Sequence, residues 1–166
     1  AGDGLGPIPV TFPKGYNAFY SMKYEITQEQ YANFLNTLDT TQQAVRFPNQ
    51  FNNFRHSIKL VNGVYGCDAN NNEILNEATD GQTIACNCLS WADGTAYADW
   101  SGLRPMTELE LEKVSRGIAP AVANEYAWGS TIITSAGTGI ANIINPGEIT
   151  EASNVIGANC NFYDNA

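Results

Sequence analysis

The sequence predicts an α+β fold with short helices, short antiparallel strands and much ordered loop. Three capping boxes, at residues 27–30, 90–93 and 107–110, each open a predicted helix. Short runs of aromatic and β-branched residues between Gly- and Asn-rich segments indicate short strands. Hydrophobic residues make up 43% of the 166-residue chain, which is enough for the core of one domain.

The first part of the chain is predicted to be extended. Residues 1–15 carry Gly or Pro at seven positions, so they are expected to form a lead-in, with the domain over residues 16–166. Residues 16–26 are rich in aromatic side chains and predict a strand. The capping box at residues 27–30 then begins a helix with apolar residues at i, i+3, i+4 and i+7. This apolar face consists of Tyr31, Phe34, Leu35 and Leu38.

Two further helices are predicted on the same pattern. One begins after Ser90, runs through about Trp100 and is ended by Gly102. The other begins after Thr107 and is ended by Gly117. Acidic residues in its first turn and basic residues in its last turn match the helix dipole.

The remaining segments are predicted to be mostly loop. Residues 39–87 form a polar, Asn-rich insert that is expected to be irregular. Beyond Gly129 the chain is rich in Gly, Thr, Ile and Asn, with short strands predicted at 131–134 and 140–144. Internal repeats and heptad patterns are absent from the sequence, so one irregular α+β domain is expected.

The charge balance excludes some classes of partner. Eight basic against 17 acidic residues give a net charge of -9, which argues against nucleic-acid binding and against an anionic membrane surface. Direct membrane insertion is not expected, since no apolar run approaches the roughly 20 residues of a membrane span. The first residues do not read as a signal peptide, so any such peptide is expected to have been removed. We expect an extracellular or cell-surface protein.

Four cysteines, Cys67, Cys86, Cys88 and Cys160, accompany a single histidine, His56. Their spacing does not match a zinc ribbon. The even count, the low lysine content and the high asparagine content favour an oxidising compartment. The preferred pairing is Cys67–Cys86 with Cys88–Cys160, because the first pair brackets a compact polar loop. The alternative is four free thiols in a cytosolic protein.

The loop at residues 68–80 carries oxygen-bearing side chains at alternate positions, as calcium loops do. Calcium is therefore predicted as a cofactor. Against it, Glu73 stands at position 6 and Thr79 at position 12, where calcium loops prefer Gly and Glu. The alternative is a loop of hydrogen-bonded Asx turns held by a Cys67–Cys86 bridge. The predicted ligands are Asp68, Asn70, Asn72, Ile74, Glu77 and Asp80.

A catalytic site is not predicted. His56 lies in an Asn-rich loop without an acidic neighbour and is interpreted as a surface or loop residue. Alternating carboxylates on the third helix would splay over different faces, which favours solvated or capping roles; these are Glu108, Glu110 and Glu112.

Arg104 is interpreted as a buried residue that ties loops together through carboxylates. The three tryptophans are interpreted as core residues; they are Trp91, Trp100 and Trp128.

These pieces together resemble the formylglycine-generating enzyme (sulfatase-modifying factor) family, whose domain is a variant of the C-type lectin fold. The residues that carry the resemblance are Tyr24-Glu25-Ile26-Thr27, Tyr31, Phe34, Ser90-Trp91, Asp93, Tyr97, Trp100, Arg104, Thr107-Glu108, Glu110, Glu112, Arg116-Gly117, Tyr126 and Trp128-Gly129. The amino-acid sequence is similar to the sequences of secreted or surface proteins of Bacteroidetes-type bacteria. Asp39-Thr40-Thr41 also resembles the short O-glycosylation signal of that group.

The resemblance covers only the family's first half. The later conserved segments, the copper-binding cysteine pair and most of the calcium ligands of the family have no counterpart here, so no catalytic residue can be carried over. The resemblance implies a fragment, or a domain that another chain or a C-terminal half completes. We expect a non-catalytic secreted or cell-surface module for adhesion, assembly or ligand binding, with a cell-envelope assembly partner. The alternative is a formylglycine-generating or related metal-dependent oxidase whose catalytic half lies outside this chain.

Overall fold

The computed structural model describes residues 6–48, 54–118, 120, 122–126, 129–136 and 142–159. Within these residues the chain forms short helices and two antiparallel pairs of short strands. This mixed content confirms the predicted α+β class. None of the described helices has the length and apolar character that crossing a membrane requires.

The helices and strands alternate in blocks along the chain. The helices are α1 (Gln28–Asn36), α2 (Thr40–Arg46), α3 (Trp91–Trp100) and α4 (Glu108–Arg116). The strands are β1 (Ile58–Val61), β2 (Val64–Cys67), β3 (Ile143–Ile144) and β4 (Ala152–Ser153). β1 pairs with β2, and β3 pairs with β4.

All three predicted capping boxes are confirmed. The Thr27, Ser90 and Thr107 side chains each accept from the backbone N–H three residues later, whose side chain bonds back to the cap. Each box satisfies two of the backbone N–H groups that a helix start leaves unpaired. At the other end of α3 and α4, Gly102 and Gly117 have φ values of 72° and 71°, which glycine adopts without strain.

The core lies between α1, the β1–β2 hairpin and α3. The predicted apolar face of α1 supplies its centre, since Tyr31, Phe34 and Leu35 are fully or almost fully buried. Leu38 is partly buried against them. The Phe34 ring meets the Tyr97 ring of α3 edge-on, with centroids 5.7 Å apart. Such aromatic pairs add stabilisation beyond the area that they bury.

The insert at residues 39–87 is more ordered than the sequence predicted. It contains α2, which Asp39 caps through a fourth capping box, and the β1–β2 hairpin. The hairpin turns at Asn62-Gly63, where both residues have positive φ (50° and 84°). This is the backbone of a type I′ turn, and Asn-Gly is its strongest sequence signal. The prediction of an irregular insert was therefore wrong.

The predicted strand over residues 16–26 is also wrong. These residues are extended or bent, and only an isolated bridge between Thr27 and Ala85 adjoins them. Among the described residues no strand runs alongside to receive their backbone hydrogen bonds, which a strand requires. Residues 131–134 likewise form no strand. Of the segment predicted at 140–144, residues 140 and 141 lie outside the described residues, and Ile143–Ile144 forms a strand.

The chain divides into two compact units. One consists of Ala1–Met22 and Pro105–Ile132, and the other of Lys23–Arg104 and Ile133–Ala166. In the first unit the N-terminal segment packs along α4. The Thr107 hydroxyl donates to the Pro13 carbonyl (2.8 Å), and Lys113 Nζ donates to the Gly15 carbonyl (2.6 Å). The second unit contains the aromatic core.

Candidate functional site

Four of the six predicted calcium ligands come together in the loop after β2. The Asp68 Oδ1 and Asn70 Oδ1 atoms both accept from the Asn72 backbone N–H, each at 3.0 Å. Glu77 Oε2 accepts from the side-chain amides of Asn70 (3.0 Å) and Asn72 (2.6 Å). The loop therefore brings together the carboxylates of Asp68 and Glu77 and the side-chain amides of Asn70 and Asn72.

The other two predicted ligands have different surroundings. The Ile74 backbone N–H donates to Asn72 Oδ1 at 2.8 Å, which forms an Asx turn. The bond from the Asn72 backbone N–H to Asn70 Oδ1 forms another. Asp80 Oδ2 accepts from the Glu77 backbone N–H at 2.8 Å. Asp80 is fully buried, and its Oδ1 has no hydrogen-bond partner. Asp80 thus lies beside Glu77 at the end of the loop.

The loop is closed at its base by Asn76. Its Oδ1 accepts from the Cys67 backbone N–H (2.9 Å), and its own backbone N–H donates to the Cys67 carbonyl (2.7 Å). Asn71, Glu73 and Asn76 have φ values between 62° and 66°. Asparagine tolerates this left-handed backbone better than most residues, so the Asn-rich sequence suits these turns.

Lys59 pairs with one of the two fully buried carboxylates of the loop. Its Nζ lies 3.0 Å from Oδ2 of the fully buried Asp68. Burial alone would raise the pKa of Asp68, but the Lys59 ammonium and the backbone N–H groups of Glu73 and Asn72 lower it below its usual value. The described residues contain no cluster of three or more His, Cys, Asp or Glu suited to a metal. The geometry thus matches hydrogen-bonded Asx turns, and calcium binding stays a prediction.

The described cysteines are free thiols of unequal exposure. Cys67 is buried, Cys86 is half-buried and Cys88 is exposed. The predicted Cys67–Cys86 bridge is therefore not formed in this structure, and Cys160 lies outside the described residues. Burial raises the pKa of the Cys67 thiol to about 11 and that of the Cys86 thiol to about 12. At neutral pH both sulfurs stay protonated, which is the unreactive form.

His56 was predicted to be a surface or loop residue; it does lie in a loop, but it is buried. Its Nδ1 lies 3.0 Å from Asn87 Oδ1, and the Asn87 amide donates to the Phe54 carbonyl at 2.7 Å. This second bond fixes Asn87 with its oxygen toward the ring, so Nδ1 carries the proton of the neutral imidazole. His56 Nε2 is then a buried acceptor with no partner. Burial lowers the pKa of His56 below its usual value.

Gln28 is a buried polar residue that the sequence reasoning missed. Its Nε2 donates to the Arg55 carbonyl (2.9 Å), and its Oε1 accepts from the Ser57 backbone N–H (2.7 Å). Its own backbone N–H donates to the Ile84 carbonyl (2.9 Å). The side chain of Gln28 thus joins α1 to the residues just before β1, and its backbone N–H joins α1 to the segment before Cys86. As the first residue of α1 it had no sequence signal beyond its place in the capping box.

A groove of about 480 Å³ lies between α1, α2 and α3. Its lining combines aromatic and aliphatic side chains with one cationic and one anionic group, which suits a small amphipathic ligand. The α2 side of the groove comes entirely from the insert. The lining residues are Phe34, Leu38, Thr41, Gln42, Val45, Arg46, Ala96, Asp99 and Trp100.

Other predictions on single residues meet mixed outcomes. Arg104 is exposed, so the expectation of a buried arginine was wrong. Trp91 is 76% exposed and was wrongly placed in the core, whereas Trp100 packs against Phe34 and remains 46% exposed. Trp128 lies outside the described residues. Glu110 is the buried cap partner of α4, which confirms the capping role.

The chain belongs to the family described as the sulfatase-modifying factor enzyme 1-like domain. The family model matches residues 11–156, which is most of the chain. This confirms the family that the sequence motifs indicated.

One curated relative is similar over a short segment. The chain is 46% identical over 44 residues to the formylglycine-generating enzyme of Streptomyces coelicolor. That segment is 26% of this chain and 13% of the enzyme, so the chain has about half the enzyme's length. No solved structure matches the chain significantly.

Proposed function

We propose that this chain is a non-catalytic module of the sulfatase-modifying factor family, secreted or held at the cell surface, that serves adhesion, assembly or ligand binding. Its domain is a variant of the C-type lectin fold in this proposal. The observation that carries the proposal is an apolar surface on the unit formed by Ala1–Met22 and Pro105–Ile132.

The exposed stripe on α4 defines this surface. Leu111 and Val114 are 51% and 43% exposed, and Ile118, just past the helix, is 99% exposed. Leu111 and Val114 are three residues apart, so they lie on one face of the helix. In the same unit Val10 and Tyr20 are 95% and 102% exposed. This unit thus exposes several large apolar side chains, and apolar surface left in water can mark an interaction site.

The covering partner that we propose is further polypeptide of the same protein, which completes the domain. The formylglycine-generating enzyme that the chain resembles is about twice as long, so a comparable protein has ample chain for this cover. A separate envelope protein is the alternative occupant, and the test below distinguishes the two.

The thiol chemistry supports a non-catalytic role. An oxidase of this family works through cysteines that bind copper, and thiolates are the form of cysteine that binds metal. In this chain the raised pKa values of Cys67 and Cys86 disfavour the thiolate. The carboxylates Asp68 and Asp93 are each engaged by a cation, Lys59 and Arg46 respectively. Such paired groups stabilise the fold and are poor candidates for acid or base catalysis.

The insert is proposed to set ligand specificity. It supplies α2 to the groove between α1 and α3, through Thr41, Gln42, Val45 and Arg46. The family-like helices α3 and α4 are expected to serve as scaffold.

The covering partner is tested by the intact mass of the native protein from its source. A mass well above 18.0 kDa, the mass of this chain, supports a cover supplied by the same protein. A mass near 18.0 kDa with a second polypeptide that co-purifies at fixed ratio indicates the envelope partner. A lone monomer that binds no hydrophobic dye would contradict the proposal.

Catalysis is tested directly on the same native preparation. With copper, oxygen and a cysteine-containing sulfatase peptide, we expect no conversion of the cysteine to formylglycine by mass spectrometry. A conversion that requires the protein and stops after heat treatment would establish the oxidase alternative. The formylglycine-generating enzyme of Streptomyces coelicolor serves as the positive control.

A further inference from the structure

Three thiols of graded exposure lie near one edge of the core. Cys67 is part of the buried cluster around Tyr31, and Cys86 packs against that cluster. Cys88 is exposed. The function proposed above uses none of them.

Backbone contacts fix the segments that carry Cys67 and Cys86 against the same element. Gln28 bonds the Ile84 carbonyl through its backbone N–H (2.9 Å) and the Ser57 N–H through its side chain (2.7 Å). Two residues beyond Ile84, the Cys86 N–H donates to the Ile26 carbonyl (2.8 Å). The Ser57 carbonyl in turn accepts from the Asp68 N–H, directly after Cys67 (2.9 Å). Both cysteines are thus held beside the start of α1.

The two cysteine side chains share one apolar environment, since Cys86 packs against the core cluster that contains Cys67. A negative charge on Cys67 would raise the pKa of Cys86, which agrees with this placement. Cys86 is coupled to Cys88 as well. A bridge between Cys86 and Cys88 would close a ring over a single intervening residue, which strains the geometry that a disulfide requires.

We propose that Cys67 and Cys86 form a latent dithiol that oxidises to a disulfide across the base of the loop at residues 68–80. The oxidant is an external disulfide of low molecular weight. At alkaline pH, where a small fraction of Cys86 is thiolate, its half-buried sulfur attacks one sulfur of the external disulfide, which breaks the S–S bond and releases one thiol. The Cys67 sulfur then attacks the Cys86 sulfur of the mixed disulfide and displaces the second thiol. The two cysteine protons leave on the two released thiols, and two electrons pass to the oxidant.

The bridge would act on the loop rather than on the core. Asn76 already closes the loop onto Cys67 by two hydrogen bonds. A covalent link from Cys67 to Cys86 would remove chain entropy from the unfolded state over the whole ring. The oxidised protein should therefore melt about 5 °C or more above the reduced protein.

The test is disulfide mapping of the full chain after incubation with oxidised glutathione at about pH 9, where the thiolate fraction is larger than at neutral pH. Free thiols are alkylated, the protein is digested without reductant, and the peptides are identified by mass spectrometry. We expect a linked peptide pair that contains Cys67 and Cys86 and is about 2 Da lighter than the two free peptides. Cys88→Ser is the matched control and should leave this link intact.

Two outcomes would overturn the proposal. One is a bridge from Cys86 to Cys88 or to Cys160 in place of Cys67. The other is full alkylation of Cys67 and Cys86 after oxidation in a protein that is unfolded to expose all thiols. Because mapping uses the wild-type chain, the result does not depend on whether a Cys67 variant folds.

Discussion

The Lys59 ammonium lies 3.0 Å from a carboxylate oxygen of Asp68 that has no contact with solvent. β1 carries the cation, and the residue directly after β2 carries the anion. The Asp68 oxygens also accept from the backbone N–H groups of Asn72 and Glu73. One buried charge thus joins the hairpin to the loop at residues 68–80.

Replacing Asp68 with Asn should lower the free energy of unfolding at pH 7 by about 2 kcal/mol, since Lys59 loses its buried partner. Because the folded-state pKa of Asp68 lies below its usual value, this stabilisation is present above about pH 4 and is lost as the pH falls through the folded pKa. Urea unfolding of both proteins from pH 7 to pH 3 measures the difference. Glu73→Gln, an exposed change in the same loop, is the control. A difference that does not shrink in acid would argue against the ion pair.

Calcium should raise the melting temperature of the wild-type protein if the predicted ligands bind it. Replacing Asp68 or Asp80 with Ala should remove the rise measured between calcium and chelator. Asp68→Ala also breaks the ion pair with Lys59, so this variant is expected to have a lower melting temperature even in chelator. Only the difference in melting temperature between calcium and chelator reports on calcium binding. Magnesium serves as the control ion. A melting temperature equal in calcium and chelator would leave the loop as a purely hydrogen-bonded structure.

His56 should make the protein less stable in mild acid. Burial lowers its folded-state pKa, so its contribution is complete above about pH 6.5 and is lost as the pH falls below that value. Since His56 is the chain's single histidine, its ring titration can be followed by NMR without assignment ambiguity. His56→Gln removes the titration and should flatten the dependence of stability on pH between about 7 and 5. A ring that titrates at or above its usual pKa would show that it is solvated.

The capping boxes of α1 and α2 should differ in their effect on stability. Thr27→Ala removes the cap of a helix with five buried residues and should lower the free energy of unfolding by about 1 kcal/mol. Asp39→Ala removes an equivalent cap from α2, which has no buried residue. It should speed amide hydrogen exchange in α2 and change global stability little. Equal global losses would mean that α2 unfolds together with the core.

The helices were predictable because their signals are local. Each cap at Thr27, Ser90 and Thr107 satisfies backbone groups within four residues, so the pattern alone defines it. The Asn62-Gly63 turn is equally local, so the sequence also contains the signal for the β1–β2 hairpin. The strand prediction for residues 16–26 was wrong because a strand needs a second strand to pair with, and the residues of the segment itself do not reveal whether one lies beside it.

The candidate site was only partly predictable. Side chains at alternate positions marked the loop at residues 68–80, but the neutralisation of Asp68 by Lys59 depends on the register of the β1–β2 hairpin. The burial of His56 likewise depends on Asn87, which lies 31 residues away. Such contacts arise from packing between distant segments, and residue spacing does not reveal them.

The hydrogen bonds between Arg55 and Glu151 also bear on the order in which parts of the protein fold. Both terminal nitrogens of the guanidinium donate to the carboxylate, and the two residues are 96 positions apart. A two-residue-turn hairpin such as β1–β2 closes within about 1–10 μs, whereas a contact across so long a loop must wait for slower closure. We therefore expect the hairpin to form before Glu151 reaches Arg55. During synthesis Arg55 therefore cannot pair with Glu151 until Glu151 has left the ribosome.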